Sequence, residues 1–203
     1  MKKSKLILLP MTILPFSSYA ITDLKWDSIN VKHIEQHTAE KTYKGYSFNM
    51  TKEVSPRTLV FSGVESLSSD TLDSNDSRSS FLFGVGYYEN FSASVTGYSY
   101  ISIKITNLSA KIHSLNPSFS SMSLKSDNNL ISLTSGIRYR YNENIDADFN
   151  FIINKDKNNS YIKSESTVYY NFSPNLSLGA GASFSSKSEY EESSYNIVFR
   201  TFI

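Results

Sequence analysis

Arg138, Arg140, Asp146 and Asp148 are the residues of this 203-residue chain best spaced to act together. They flank a short polar turn, Asn142-Glu143-Asn144, and each like pair is two residues apart. In a hairpin, that spacing puts all four side chains on one face. Pairing Tyr141 with Ile145 sets Arg140 opposite Asp146 and Arg138 opposite Asp148. Guanidiniums facing carboxylates serve one of two ends. They neutralise each other inside a filled core, because buried charges must be paired, or they line a polar constriction for ions. The filled core is the commoner outcome and is the expectation here. Lys163, Glu165 and Arg200 fall in the inward phase of their own segments and would extend the network.

The remaining candidates carry less chemistry. Acid–base or nucleophilic catalysis needs a histidine beside a carboxylate or an activated hydroxyl. The histidines are His33, His37 and His113, no Asp-His dipeptide occurs, and all three are expected at the surface. Asp70, Asp73 and Asp76 share one polar stretch. Calcium loops use tighter oxygen spacing with a Gly and a closing Glu, so a solvated loop is expected instead. No catalytic, metal or cofactor-binding residue is assigned. The expectation is a protein that is not an enzyme and needs no cofactor. Cysteine is absent, which excludes disulfides, and net charge is +1, which gives no electrostatic case for nucleic acid.

Something must position these residues, and the two chain ends say what. Met1-Lys2-Lys3-Ser4-Lys5 precedes an apolar stretch from Leu6 to Phe16, then Ser18-Tyr19-Ala20. This is the layout of a secretory signal peptide cleaved after Ala20, leaving 21–203 as one domain. The apolar stretch is too short to span a bilayer as a helix, and no later stretch is long enough. A membrane protein without such a helix must be a closed barrel, because lipid cannot satisfy open backbone groups. The chain closes on Tyr195-Asn196-Ile197-Val198-Phe199-Arg200-Thr201-Phe202-Ile203, an alternating strand.

Between the ends, period-2 patterning predicts ten strands: roughly 23–34, 44–51, 57–67, 80–88, 91–105, 130–141, 145–155, 161–172, 176–186 and 194–203. Tight turns are expected at Glu53-Val54-Ser55-Pro56, Glu89-Asn90, Asn142-Glu143-Asn144 and Ser173-Pro174-Asn175. Longer loops are expected at 35–43, 68–79, 106–129, 156–160 and 187–193. Short turns alternating with long loops are the periplasmic and extracellular connections of an outer-membrane barrel. Within strands, Phe149, Phe151, Leu178 and Phe199 should face lipid, while Asp148, Ser177, Gly179 and Arg200 should face the lumen, Ser177 at a roomy position. The first strand is irregular: Leu24 and Trp26 keep one phase, Ile29 and Val31 the other. Losing that strand or one early hairpin gives eight strands instead of ten.

Lys44-Gly45-Tyr46-Ser47-Phe48, Phe83-Gly84-Val85-Gly86-Tyr87-Tyr88, Val168-Tyr169-Tyr170-Asn171-Phe172-Ser173-Pro174-Asn175-Leu176 and the final strand carry a family resemblance. On them the chain resembles small Gram-negative outer-membrane β-barrel proteins of the porin-like superfamily, departing by ending in Ile203 where those proteins usually end in Phe. The resemblance implies an all-β antiparallel transmembrane β-barrel located in the cell outer membrane. It also implies a C-terminal strand read by the barrel-assembly machinery. Outer-membrane lipid is the expected surrounding partner and a monomer the expected state. The expected role is structural or surface interaction through the loops, with a narrow low-conductance pore as the alternative. A lipid- or peptide-hydrolysing role is the least expected. Omptin-type outer-membrane proteases use Asp-His and Asp-Asp pairs that are missing here. His113-Ser114 is similar to the His and Ser of outer-membrane lipid A deacylases only in residue type.

Overall fold

The computed structural model describes residues 25–71, 74–112, 122–157, 159–187 and 190–203. The expected signal peptide, Asp73 and His113 lie outside them. Among the described residues the chain runs through ten strands. They are β1 (Ser28–His37), β2 (Thr42–Ser55), β3 (Thr58–Asp70), β4 (Ser74–Ser92), β5 (Val95–Ile112), β6 (Met122–Asn142), β7 (Ile145–Lys155), β8 (Ser160–Ser173), β9 (Leu176–Lys187) and β10 (Tyr190–Phe202). Each pairs antiparallel with its neighbours in sequence. β1 also pairs β10, from Ser28↔Phe202 to His37↔Ser193, which closes the barrel. Closure pairs the first strand with the last and leaves no open edge in the part that lipid surrounds.

The strand count is ten, not eight, but several bounds move. β1 starts at Ser28, so Trp26 precedes it and the phase conflict with Ile29 disappears. The second tight turn lies at Ala93-Ser94, between Ser92 and Val95, not at Glu89-Asn90, which are still paired with β5. Much of the loops expected at 68–79 and 106–129 is strand: β4, β5 and β6 run 19, 18 and 21 residues. Their polar Ser- and Asn-rich tops hid this, because a strand standing above a bilayer has no reason to keep an apolar face. At Ser55-Pro56-Arg57-Thr58, Arg57 takes φ 66°, the left-handed position of a type II turn that Gly usually fills. Its guanidinium donates to Tyr87 Oη at 3.2 Å and Glu89 Oε1 at 3.1 Å, which ties the turn down.

Outward positions form an apolar belt. Phe81, Phe83, Val85, Ile101, Ile103, Leu133, Phe149, Phe151, Leu178 and Phe199 all project outward and are exposed to the surroundings of the barrel. Inward positions are Ser, Thr, Asn, Tyr and charged groups, paired across strands: Ser132 Oγ to Asn154 Oδ1 and Ser177 Oγ to Asn171 Oδ1, both at 2.6 Å. A soluble barrel would invert this order. Apolar outside and polar inside is the arrangement of a barrel that spans an outer membrane.

Two glycines make room for the lumen's aromatic rings. A Cβ at Gly136 would fall 2.6 Å from Tyr98 Cζ, and one at Gly179 would fall 2.7 Å from Tyr169 Cδ1.

Candidate functional site

The arginines and aspartates of the hairpin gather at the end of the lumen beside the short turns, where Lys25 and Ile203 also lie. β6 and β7 pair in the register Arg138↔Asp148 and Arg140↔Asp146, with a shift at Asn142, which pairs with Ile145 in place of Tyr141. Arg138 Nε donates to Asp148 Oδ1 at 2.9 Å, and Arg140 Nε to Asp146 Oδ1 at 2.8 Å. Arg200, from β10, reaches across and donates through Nη2 to Asp146 Oδ2 at 3.0 Å. Its Nη1 stands 3.9 Å from Asp148 Oδ2. Three guanidiniums thus share two carboxylates. The surplus charge is met by rings: Arg200 lies 3.7 Å over Tyr169 and 4.8 Å from Phe202. Arg200 and Asp146 are both 0% exposed.

Sequence reasoning missed the residue that completes this floor. Trp26 sits just before β1 and is buried inside the barrel. Its ring packs 4.6 Å under the Arg138 guanidinium, 5.0 Å from Tyr88 and 5.3 Å from Tyr98. Arg138 Nη1 also donates to the Lys25 carbonyl at 3.0 Å. Trp26 is therefore turned into the lumen, and the Lys25 carbonyl before it is clamped by Arg138. The signal was present, because Trp26 keeps the inward phase of Ser28 and Asn30. What was missing was any reason to end the strand between them.

Asp27 pins this segment from the other side. It accepts from the Glu53 backbone N–H at 2.7 Å and from Lys52 Nζ at 2.6 Å. The Lys52 ammonium and the Glu53 amide hold its carboxyl below the ordinary value of 3.8. A depressed carboxyl contributes stability above the unfolded value and loses it as pH falls through the folded one. Acidification below about pH 3.8 should therefore loosen the segment. The expected readout is a step in Trp26 fluorescence that Asp27→Asn removes; an unchanged step in that variant would assign it to other acids.

Lys163 and Glu165 do not join the arginine floor. They pair with each other, Nζ to Oε1 at 2.7 Å, and Lys104 and Glu65 do the same at 2.7 Å. These pairs bound a cavity of about 370 Å³ above the floor. Arg78, Lys104 and Glu192 also line a second cavity of about 430 Å³ reaching the β1–β2 hairpin. There Lys41 pairs with Asp76, so Asp76 is an ion-pair partner instead of a solvated loop residue. His33 faces outward against Tyr46, with rings 5.0 Å apart, and His37 Nε2 is 3.4 Å from Glu35 Oε1. Neither histidine enters the lumen site. Among the described residues no group of three or more His, Cys, Asp or Glu is arranged to hold a metal.

No protein-family model matches the sequence. No curated protein matches it either. Solved structures do. The translocator domain of the autotransporter NalP from Neisseria meningitidis is similar at TM-score 0.54 and 7% identity, over 90% of this chain and 90% of that one. The β-domain of the Bordetella autotransporter BrkA is similar at TM-score 0.53 and 9% identity, over 89% of this chain and 100% of that one. Ail, the attachment invasion locus protein of Yersinia pestis, aligns at TM-score 0.45 and 10% identity, over 87% of this chain and 99% of that one. The first two likenesses are of fold, and with the outward apolar belt they make this chain an outer-membrane β-barrel.

Proposed function

We propose that the protein is a non-enzymatic surface-interaction barrel, whose contact element is the sheet raised above the membrane by β4, β5 and β6. The observation that carries this reading is an open edge. β5 and β6 stay paired up to Ile112↔Met122, but β7 joins β6 only from Ile131↔Lys155 downward. Among the described residues, 122–130 of β6 therefore have a strand neighbour on one side only. At about 3.3 Å per residue, that edge is roughly 30 Å long. Edges of this length are normally blunted, because they template pairing with another strand. Lys125 and Asp127 supply charge here, and the rest is Met, Ser, Asn and Leu. Main-chain pairing along such an edge is a recognised route to binding extended segments of another protein.

The filled floor argues against the pore alternative, since barrels near this size are packed by their own side chains. Two measurements test the reading together. Gram-negative cells displaying the wild-type barrel should adhere to protein-coated surfaces, and deleting residues 110–124 should reduce adhesion about tenfold with the barrel still folded. Equal adhesion of the two strains would refute the edge as the contact. Purified protein in planar bilayers should carry no steady current, and clear single-channel steps would promote the pore.

A further inference from the structure

We propose that the lumen cavity above the arginine floor binds a small hydroxycarboxylate, admitted from the loop side and held against the β1–β10 wall by Lys32. Three charge pairs line this cavity: Lys104 with Glu65, Lys163 with Glu165, and Arg138 with Asp148. The cavity's other charged lining residues are Lys32, Arg78 and Glu192. None of these three has an ion pair or hydrogen bond to the described protein, although Arg78 stands 5.0 Å over the Tyr43 ring. Two cations and one acid leave a surplus of one positive charge facing the cavity. A monoanion balances it, whereas a dianion overshoots.

The hydrogen-bonding groups say more about the ligand. On β1, Asn30, Lys32 and Gln36 share the inward face, and Asn196 of β10 sits opposite Ile34 between them. Gln36 Nε2 is a buried donor without an acceptor, and Asn30 Oδ1 and Asn196 Oδ1 are buried acceptors without donors. Buried polar groups are rarely left unpaired. Asn30 lies two residues from Lys32 and Asn196 lies diagonally across from it, so unmet acceptors flank one ammonium, while Gln36 stands four residues, about 13 Å, farther along the strand. An ammonium flanked by acceptors matches a ligand carrying both a carboxylate and hydroxyls. A simple fatty acid fills only the donors, and a neutral polyol leaves the ammonium unmatched. At about 370 Å³ the cavity is within the usual range of small-molecule sites. Trp26 and Arg138 close it toward the short turns. Arg78 and Glu192 open onto the second cavity, so entry is from the outside.

The chain's one tryptophan, Trp26, lines this cavity and reports on it without a label. Refolded full barrel in lipid nanodiscs should be titrated with gluconate, with sorbitol and with hexanoate, at fixed ionic strength. Gluconate should give a saturable change in Trp26 fluorescence, with sorbitol and hexanoate each at least about tenfold weaker, the difference a charge-assisted hydrogen bond makes. Lys32→Met should weaken gluconate by about tenfold. Glu192→Gln raises the cavity's surplus charge and should tighten it, which keeps the test decisive if the Lys32 variant fails to fold. Gluconate no better than sorbitol or hexanoate would overturn the assignment, as would unchanged affinity in Glu192→Gln.

Discussion

Replacing Asp146 by Asn is expected to destabilise the barrel by about 3–5 kcal/mol, the range for removing one partner of a buried ion pair. Asp146 is 0% exposed and accepts from both Arg140 and Arg200. The substitution removes the charged acceptor of both Arg140 and Arg200, and Arg200 then keeps Asp148 at 3.9 Å and the Tyr169 and Phe202 rings. Asp148→Asn should cost less. Its partner Arg138 retains the Trp26 ring and the Lys25 carbonyl, so that charge is not left bare. Urea unfolding of the refolded protein, followed by Trp26 fluorescence, gives both values. Adding Arg200→Met to Asp146→Asn should recover part of the loss, because the two sites share one network. A loss near 0–1 kcal/mol for Asp146→Asn, the range of exposed pairs, would mean that water reaches the floor and that it is no plug.

The parts of this molecule legible in its sequence are those written in period 2. Alternation of Phe149 and Phe151 with Asp148 and Asn150 sets inside from outside, and the Asn142-Glu143-Asn144 turn sets which arginine faces which aspartate. The tall tops of β4, β5 and β6 were not legible, because outside the bilayer both faces are polar and the period disappears. Ser177 shows a second limit. Its phase puts it in the lumen, and it is there, but it is 0% exposed, with its hydroxyl on Asn171, so the position has no room. Phase gives the side of the sheet; it does not give the space available, which depends on residues such as Tyr169 and Arg200 arriving from other strands. Arg200 was legible from its inward phase, whereas Trp26 is distant in sequence from the hairpin whose charges it completes and no local pattern links it to them.

Ile101→Arg should impair insertion by about 2–4 kcal/mol, the cost of a lipid-facing arginine near the bilayer midplane. Ile101 is 52% exposed, and its cross-strand neighbours Val85 and Leu133 also face outward. Nothing near it could pair with the new charge, and snorkelling must cross Ile103 or Ser99 to reach an interface. The control is an arginine of the same size placed inside. Asn49 lines the 370 Å³ cavity, which has space for the longer side chain. A charge added there stays in a polar, wetted region, so Asn49→Arg should change stability by about 1 kcal/mol or less. Refolding yields and urea midpoints in vesicles of one lipid composition compare the two directly. The outward variant should lose much more than the inward one. Equal losses would place lipid and lumen on the wrong sides of the wall, and with them the cavity, the floor and the entry route.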